Sequence, residues 1–252
     1  VLLLFLQTAA TGREVAITIL TTTDLHGYIL PTTDYGGRTN VGGLARCASV
    51  IEQVRKERPN AILVDAGDTF QGTPVSFLSD GLVMVKSLNY LRYDAWCWGN
   101  HEFDWGLEKL ATCAEHAQVP VINANLGPDP DAESGTNAAS RILGRVKPYV
   151  IREIDGVKVG VVGLNTPGIP NWSRPRLIHG LQFAESVTTL KRVLPEMKRA
   201  GAQVIVLVCH QGFKEGGDDH ANQIRAIAQE CPELDAIIAG HTHRNVPDLK
   251  VN

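Results

Sequence analysis

Five apolar runs in this chain each end in residues of one chemical kind. Residues 93–98 run into Gly99-Asn100-His101-Glu102-Phe103-Asp104. Residues 62–66 run into Gly67-Asp68, and residues 235–239 into Gly240-His241-Thr242-His243. Two looser versions complete the set. Residues 16–20 lead to Asp24-Leu25-His26-Gly27, and residues 203–209 lead to His210-Gln211-Gly212. Glycine turns the chain at positive φ without a Cβ clash, so it can leave the following polar side chain at a strand's carboxyl edge. Few folds bring five strand ends to one place.

The 252 residues suffice for one large domain with a sizeable core. Apolar periodicity of the helical kind recurs between the strands: 43–58, then 76–91, 107–118, 183–200 and 220–231. Residues 13–21 read as the first strand and 119–125 as another. Residues 149–154 and 157–164, joined by Asp155-Gly156, give a hairpin signal. Residues 127–147 and 165–180, rich in Gly, Pro and polar residues, read as surface loops. Strands alternating with helices predict a layered α/β domain, and the hairpin makes a sheet mixed. Ligands of such sheets gather beyond the strands' carboxyl ends.

The candidate ligands are Asp24, His26, Asp68, Asn100, His210, His241 and His243. Asp24 and His26 stand two apart, as do His241 and His243. In extended segments both members of each pair would point the same way. Imidazole with carboxylate suits zinc, manganese, iron or nickel better than calcium or magnesium alone. Seven donors exceed a closed tetrahedral site. They suffice for two open sites if one carboxylate bridges. Two such ions clamp a phosphate ester and lower the pKa of the water between them. His101 is placed to act as general acid or phosphoryl-oxygen donor, with Asp104 fixing its tautomer. An isolated D-x-H is usually a turn, and Asp68 or Asn100 alone reads as a helix cap. Those readings do not explain five strand ends of one kind. His116, His179 and His220 fall outside the pattern and read as structural.

The net charge of −3 gives no reason to expect nucleic acid or an anionic membrane as partner. Five cysteines, 47, 97, 113, 209 and 231, include no C-x-x-C pair, which argues against a zinc knuckle. Cys97 and Cys209 read as small hydrophobes in strands, and an exported protein leaves room for one disulfide. Residues 1–6 are solidly apolar and are followed by Thr8-Ala9-Ala10. They are too few to span a bilayer. Residues 1–12 read as the remnant of a secretory signal, with a plain strand as the alternative. Export to the periplasm, the medium or the cell surface is the expectation.

The ordered series resembles the calcineurin-like metallophosphoesterase family: D-x-H at Asp24/His26, G-D at Gly67-Asp68, G-N-H-[DE] at 99–102, His210, and G-H-x-H at 240–243. The extension through Phe103-Asp104 is similar to its 5′-nucleotidase and 2′,3′-cyclic-nucleotide phosphodiesterase branch, as are Gly42-Gly43-Leu44-Ala45-Arg46 and Tyr93-Asp94-Ala95. The resemblance implies a four-layer α/β/β/α sandwich with mixed sheets, spanning residues 13–252 as the catalytic domain. It implies two divalent metal ions. Asp24, His26, Asp68 and His243 would hold one. Asp68, Asn100, His210 and His241 would hold the other, with Asp68 bridging. His101 and Asp104 would form the catalytic dyad. The expected partner is a small phosphate ester, a nucleotide above all, hydrolysed as by a 5′-nucleotidase. The alternatives are a cyclic-nucleotide or other phosphodiesterase, which residues 166–172 and 194–197 resemble, and a non-catalytic scaffold on the same fold. The C-terminal base-binding domain usual in that branch has no counterpart in these residues, which implies either a fragment of a longer protein or a different substrate selection.

Overall fold

The computed structural model describes residues 2–10, 13–34, 36–132 and 137–246. In chain order the elements are β1 (Leu2–Ala10), β2 (Arg13–Thr22), α1 (Leu44–Glu57), β3 (Ile62–Asp65), α2 (Pro74–Leu78), α3 (Leu82–Tyr90), β4 (Ala95–Trp96), α4 (Leu107–His116), β5 (Val121–Ile122) and β6 (Leu126–Pro128). There follow α5 (Asn137–Leu143), β7 (Val146–Lys147), β8 (Tyr149–Ile154), β9 (Val157–Leu164), α6 (Ile169–Trp172), β10 (Leu181–Phe183), α7 (Ser186–Arg199), β11 (Val204–Cys209), α8 (Ile224–Glu230) and β12 (Ala236–Ala239).

Two main sheets result. One has the order β1-β2-β3-β4-β5-β7, with β1 antiparallel to β2 and the rest parallel. The other has the order β12-β11-β9-β8, parallel except for β8. The hairpin joining β8 to β9 turns at Asp155 and Gly156, with φ of 49° and 86°. That pair of positive values is what a primed turn needs. A short β10-β6 pair lies apart.

The strands' two-residue period builds the layers. Val15, Ile17 and Ile19 of β2 meet Val157, Val159 and Val161 of β9 and Val204, Val206 and Val208 of β11 in a core between the sheets. The alternate residues face outward. Leu20, Leu63 and Trp96 pack on α1, α3, α4 and α5. Val162, Leu164, Ile205 and Leu207 pack on α7 and α8. Helix, sheet, sheet and helix make the four-layer α/β/β/α sandwich. Each fully buried Val, Leu or Ile here contributes roughly 1.5–3 kcal/mol.

Several local expectations change. The helix expected over 76–91 is two, α2 and α3, because Gly81 breaks it at φ 82°. The loop expected over 127–147 contains β6, α5 and β7, and Ala138, Ala139 and Ile142 of α5 are buried. The loop expected over 165–180 contains α6 and a 3₁₀ turn. The strands expected over 93–98 and 119–125 shorten to two residues each. α7 runs through Pro195, which removes one helical hydrogen bond. Its buried face of Leu190, Val193, Leu194 and Met197 holds it. Residues 2–10 form a strand in nine-residue register with β2. All five cysteines are free. Among the described residues no helix is long and apolar enough to cross a membrane.

Candidate metal centre

The carboxyl ends of β2, β3, β4, β11 and β12 carry the seven candidate ligands. Backbone bonds lace the first two ends together: Asp24 N donates to Gly67 O at 2.9 Å, His26 N to Asp68 O at 2.9 Å, and Gly27 N to Thr69 O at 2.8 Å. The third end is drawn in through paired glycines. Gly67 has φ 94°, and a Cβ there would strike Gly99 N and lie 2.9 Å from His210 Nδ1.

The backbone at the ligands is not extended. Asp24, His26, Asp68, His241 and His243 have φ of 50°, 46°, 54°, 75° and 52°. Only Asn40, Asp80, Arg92 and Asp155 share that region among the described non-glycine residues. The extended-segment rationale for the two D-x-H and H-x-H pairs is therefore corrected. Left-handed turns, not strand pleats, aim these side chains. Strain of this kind collects at functional sites.

The side chains converge in three overlapping groups: Asp24, His26 and His243; His26, Asp68 and His101; and Asp68, His210 and His241. Within each group the donor atoms lie within 4.8 Å of one another. His243 Nε2 is 3.1 Å from Asp24 Oδ1 and 3.1 Å from His26 Nε2. His210 Nε2 is 2.9 Å from Asp68 Oδ2, and His101 Nε2 is 3.9 Å from the same oxygen. The inner rings are aimed from behind. His26 Nδ1 and His210 Nδ1 each sit 2.8 Å from a carbonyl oxygen, of Gln71 and Ala66. With a proton kept on Nδ1, each Nε2 faces inward, where a metal would take the place of any proton it carries.

Among the candidate ligand atoms, Asn100 Oδ1 is buried with no hydrogen-bond partner, whereas the buried His210 Nε2 has the Asp68 carboxylate 2.9 Å away. Unpartnered buried polar atoms are costly and rare. Asn100 Oδ1 is a donor atom of the proposed set, and the imidazole–carboxylate groups fit divalent cations in kind.

Charge is tightly balanced here. Burial works to raise the Asp68 carboxyl, but the His210 and His101 imidazoles outweigh it and hold the group well below the usual range. Burial lowers His210, yet the Asp68 carboxylate lifts it to about 9. Burial, with His210 adding, pushes His241 down to about 4. His101 is raised, chiefly by the 2.6 Å hydrogen bond between its Nδ1 and Asp104 Oδ2.

Sequence reasoning passed over two buried acids. Glu102 accepts from Gly99 N at 2.7 Å, Asp68 N at 3.0 Å, Thr69 N at 2.6 Å and Phe70 N at 3.3 Å. It thus clamps the turns after β3 and β4 to each other. Asp65 accepts from Thr22 Oγ1 at 2.6 Å, Thr69 Oγ1 at 2.8 Å and Gly67 N at 3.1 Å. The available signal was an acid closing an apolar strand. His116 bonds its own helix at Thr112 O, and His220 lies beside Glu185, both outside the site.

The sequence profile of the calcineurin-like phosphoesterases matches residues 17–245. The chain is 33% identical to the trifunctional nucleotide phosphoesterase protein YfkN of Bacillus subtilis, over 94% of this chain and 17% of that protein. It is 32% identical to the 2′,3′-cyclic-nucleotide 2′-phosphodiesterase/3′-nucleotidase of Haemophilus influenzae, over 93% of this chain and 37% of that one. It superposes on the crystal structure of a 5′-nucleotidase precursor from Thermus thermophilus with a TM-score of 0.74 at 29% identity, covering 93% of this chain and 44% of that one. The chain thus spans well under half the length of these relatives. By the extent of the profile match and the sandwich beneath it, the chain belongs to the calcineurin-like phosphoesterase family.

Proposed function

We propose that this chain hydrolyses phosphate esters of nucleotides at a two-metal centre. The observation that carries the reading is the convergence of three overlapping imidazole–carboxylate groups at the carboxyl ends of strands from both sheets. Asp24, His26, Asp68 and His243 would hold one divalent ion, and Asp68, Asn100, His210 and His241 the other. When bound, such a pair supplies an acidified water and offsets phosphate charge.

The chain's own groups do the rest. Asp68 Oδ1 accepts from His101 N at 2.9 Å, so the shared carboxylate is oriented before any ligand arrives. His101, held protonated by Asp104 on Nδ1, presents Nε2 to the site and donates to a phosphoryl or leaving-group oxygen. Glu102 keeps the two ligand-bearing turns in register. Nucleotides are proposed as substrates because the similar proteins carry nucleotidase and phosphodiesterase names.

The test is hydrolysis of p-nitrophenyl phosphate, bis(p-nitrophenyl) phosphate, AMP and 2′,3′-cyclic AMP after manganese or zinc loading. Turnover that chelator abolishes is the expected result. No turnover with any metal sinks the reading. A dominant rate on the two diesters moves the assignment to the phosphodiesterase alternative, which the Haemophilus relative's name favours.

A further inference from the structure

The geometry points to Thr242, seated on Gly212, as the residue that positions His241 and His243 against His210; the inference rests on the two-metal reading above. Thr242 stands between one proposed ligand of each ion and is itself a ligand of neither. A Cβ at Gly212 would strike Thr242 Cγ2 and Oγ1 and lie 2.6 Å from Thr242 Cβ. The turn after β12 therefore rests on the bare backbone of the turn after β11, two residues past His210. Across that contact the His210 and His241 rings face each other with centroids 5.1 Å apart.

The seat is fixed from beneath. Gly212 N donates to Asn222 Oδ1 at 2.8 Å, and Asn222 is 6% exposed. Asn222 Nδ2 and N donate to Asp219 Oδ1 at 3.1 Å and 2.8 Å, so the amide turns its oxygen toward Gly212. The turn that rests on the seat is tied only ahead of Thr242. Gly240 N donates to Cys209 O at 3.1 Å, and His241 N to the Asp24 carboxylate at 3.2 Å. Beyond His243 the Arg244–Glu215 ion pair is exposed and holds little. Contact with Gly212 thus limits how closely the turn approaches β11, and so where both imidazoles stand relative to His210. Partners that orient metal ligands in this way are worth about 10- to 100-fold in metal affinity.

Zinc affinity, measured by chelator competition, reads the role without turnover. Gly212 lies outside the left-handed region, so Gly212→Ala alters the contact and leaves the backbone preference alone. No χ1 rotation of Thr242 relieves the overlap, because its Cβ is among the atoms met. Gly212→Ala should weaken zinc binding about 10- to 100-fold, and Thr242→Gly about 10-fold. The double variant should bind within about 2-fold of Thr242→Gly, because the added methyl no longer has a side chain to strike. Unchanged affinity in Gly212→Ala, or losses that add in the double variant, overturns the inference. If Gly212→Ala does not fold, Thr242→Gly decides: weaker zinc binding at a wild-type urea midpoint upholds the seat, and wild-type affinity overturns it. A wild type that binds no zinc overturns this inference and the two-metal reading together. A wild type that binds zinc without turnover fails the phosphoesterase reading alone, and the same affinities still decide.

Discussion

The two halves of the candidate centre differ most in their access to water. In the inner half the side chains of His210 and Asp68 are 0% and 2% exposed. In the outer half His243 is 58% exposed and Asp24 9%. Burial makes the inner half demanding. Its buried Asn100 Oδ1 has no hydrogen-bond partner, so a cation there would satisfy a group that otherwise destabilises the fold. In the outer half, His243 can exchange its contacts for water at little cost. On the proposed assignment the inner half would hold its ion more tightly, and the outer half would admit solvent and substrate.

His101 belongs to neither half and offers the largest test. It shares a group with His26 and Asp68, yet its Nδ1 is committed to Asp104. In the proposed assignment it moves a proton and holds no ion. His101→Ala should lower kcat about 10²- to 10⁴-fold, the usual scale of general acid catalysis, with bound metal unchanged. Metal content and turnover measured on one preparation decide it. A parallel loss of metal would make His101 a ligand and blur the division between the halves.

The division itself is tested by removing one imidazole from each side. His210→Ala should weaken the tighter of two metal-binding events by about 100-fold or more, because it removes a buried imidazole from the ligand set that includes Asp68. His243→Ala should weaken the looser event by about 10-fold, the low end of what lesser disturbances of metal sites cost. Chelator competition reads both. Equal losses would show that burial does not set the order of affinity.

Much of this was legible before the structure. Glycine followed by Asp, Asn or His after an apolar run marks a strand end with a job, and the rule that ligands lie beyond parallel strands places those ends together. The apolar runs over 157–164 and 203–209 likewise read as strands. What stayed hidden depends on distant partners. Left-handed φ at Asp24, His26, Asp68, His241 and His243 accompanies long-range ties that no local pattern encodes: the backbone bonds between the turns after β2 and β3, and the bond His241 N donates to the Asp24 carboxylate. Glu102 is one acid among many until four backbone N–H groups are seen to point at it. α5 hides its buried Ala138, Ala139 and Ile142 among polar neighbours, and the adjoining Pro and Gly dominate the local signal.

The smallest effect concerns two acids three residues apart, Asp65 and Asp68, shifted in opposite directions. Asp68 has imidazoles beside it and is held low. Asp65 is fully buried with hydroxyl and N–H donors only, and burial outweighs them and lifts it to about 7. An unfolded Asp titrates near 3.9. Between these values the folded chain holds the proton more tightly than the unfolded one. The contribution to stability is thus complete below about pH 4 and is lost as pH rises toward 7. By linkage the loss is roughly 2 kcal/mol between pH 5 and pH 7. Asp65→Asn cannot ionise, so its stability relative to wild type should rise by that amount across the same window. Its amide can still be accommodated, because Thr22 Oγ1 also lies 2.8 Å from Tyr93 Oη and can accept from the amide while donating to the phenol. Urea unfolding of both chelator-treated proteins at pH 5, 6 and 7 measures the difference. A wild-type-to-variant difference that stays flat with pH would mean Asp65 is ionised throughout. The contrast between a buried acid with imidazole neighbours and one without would then collapse.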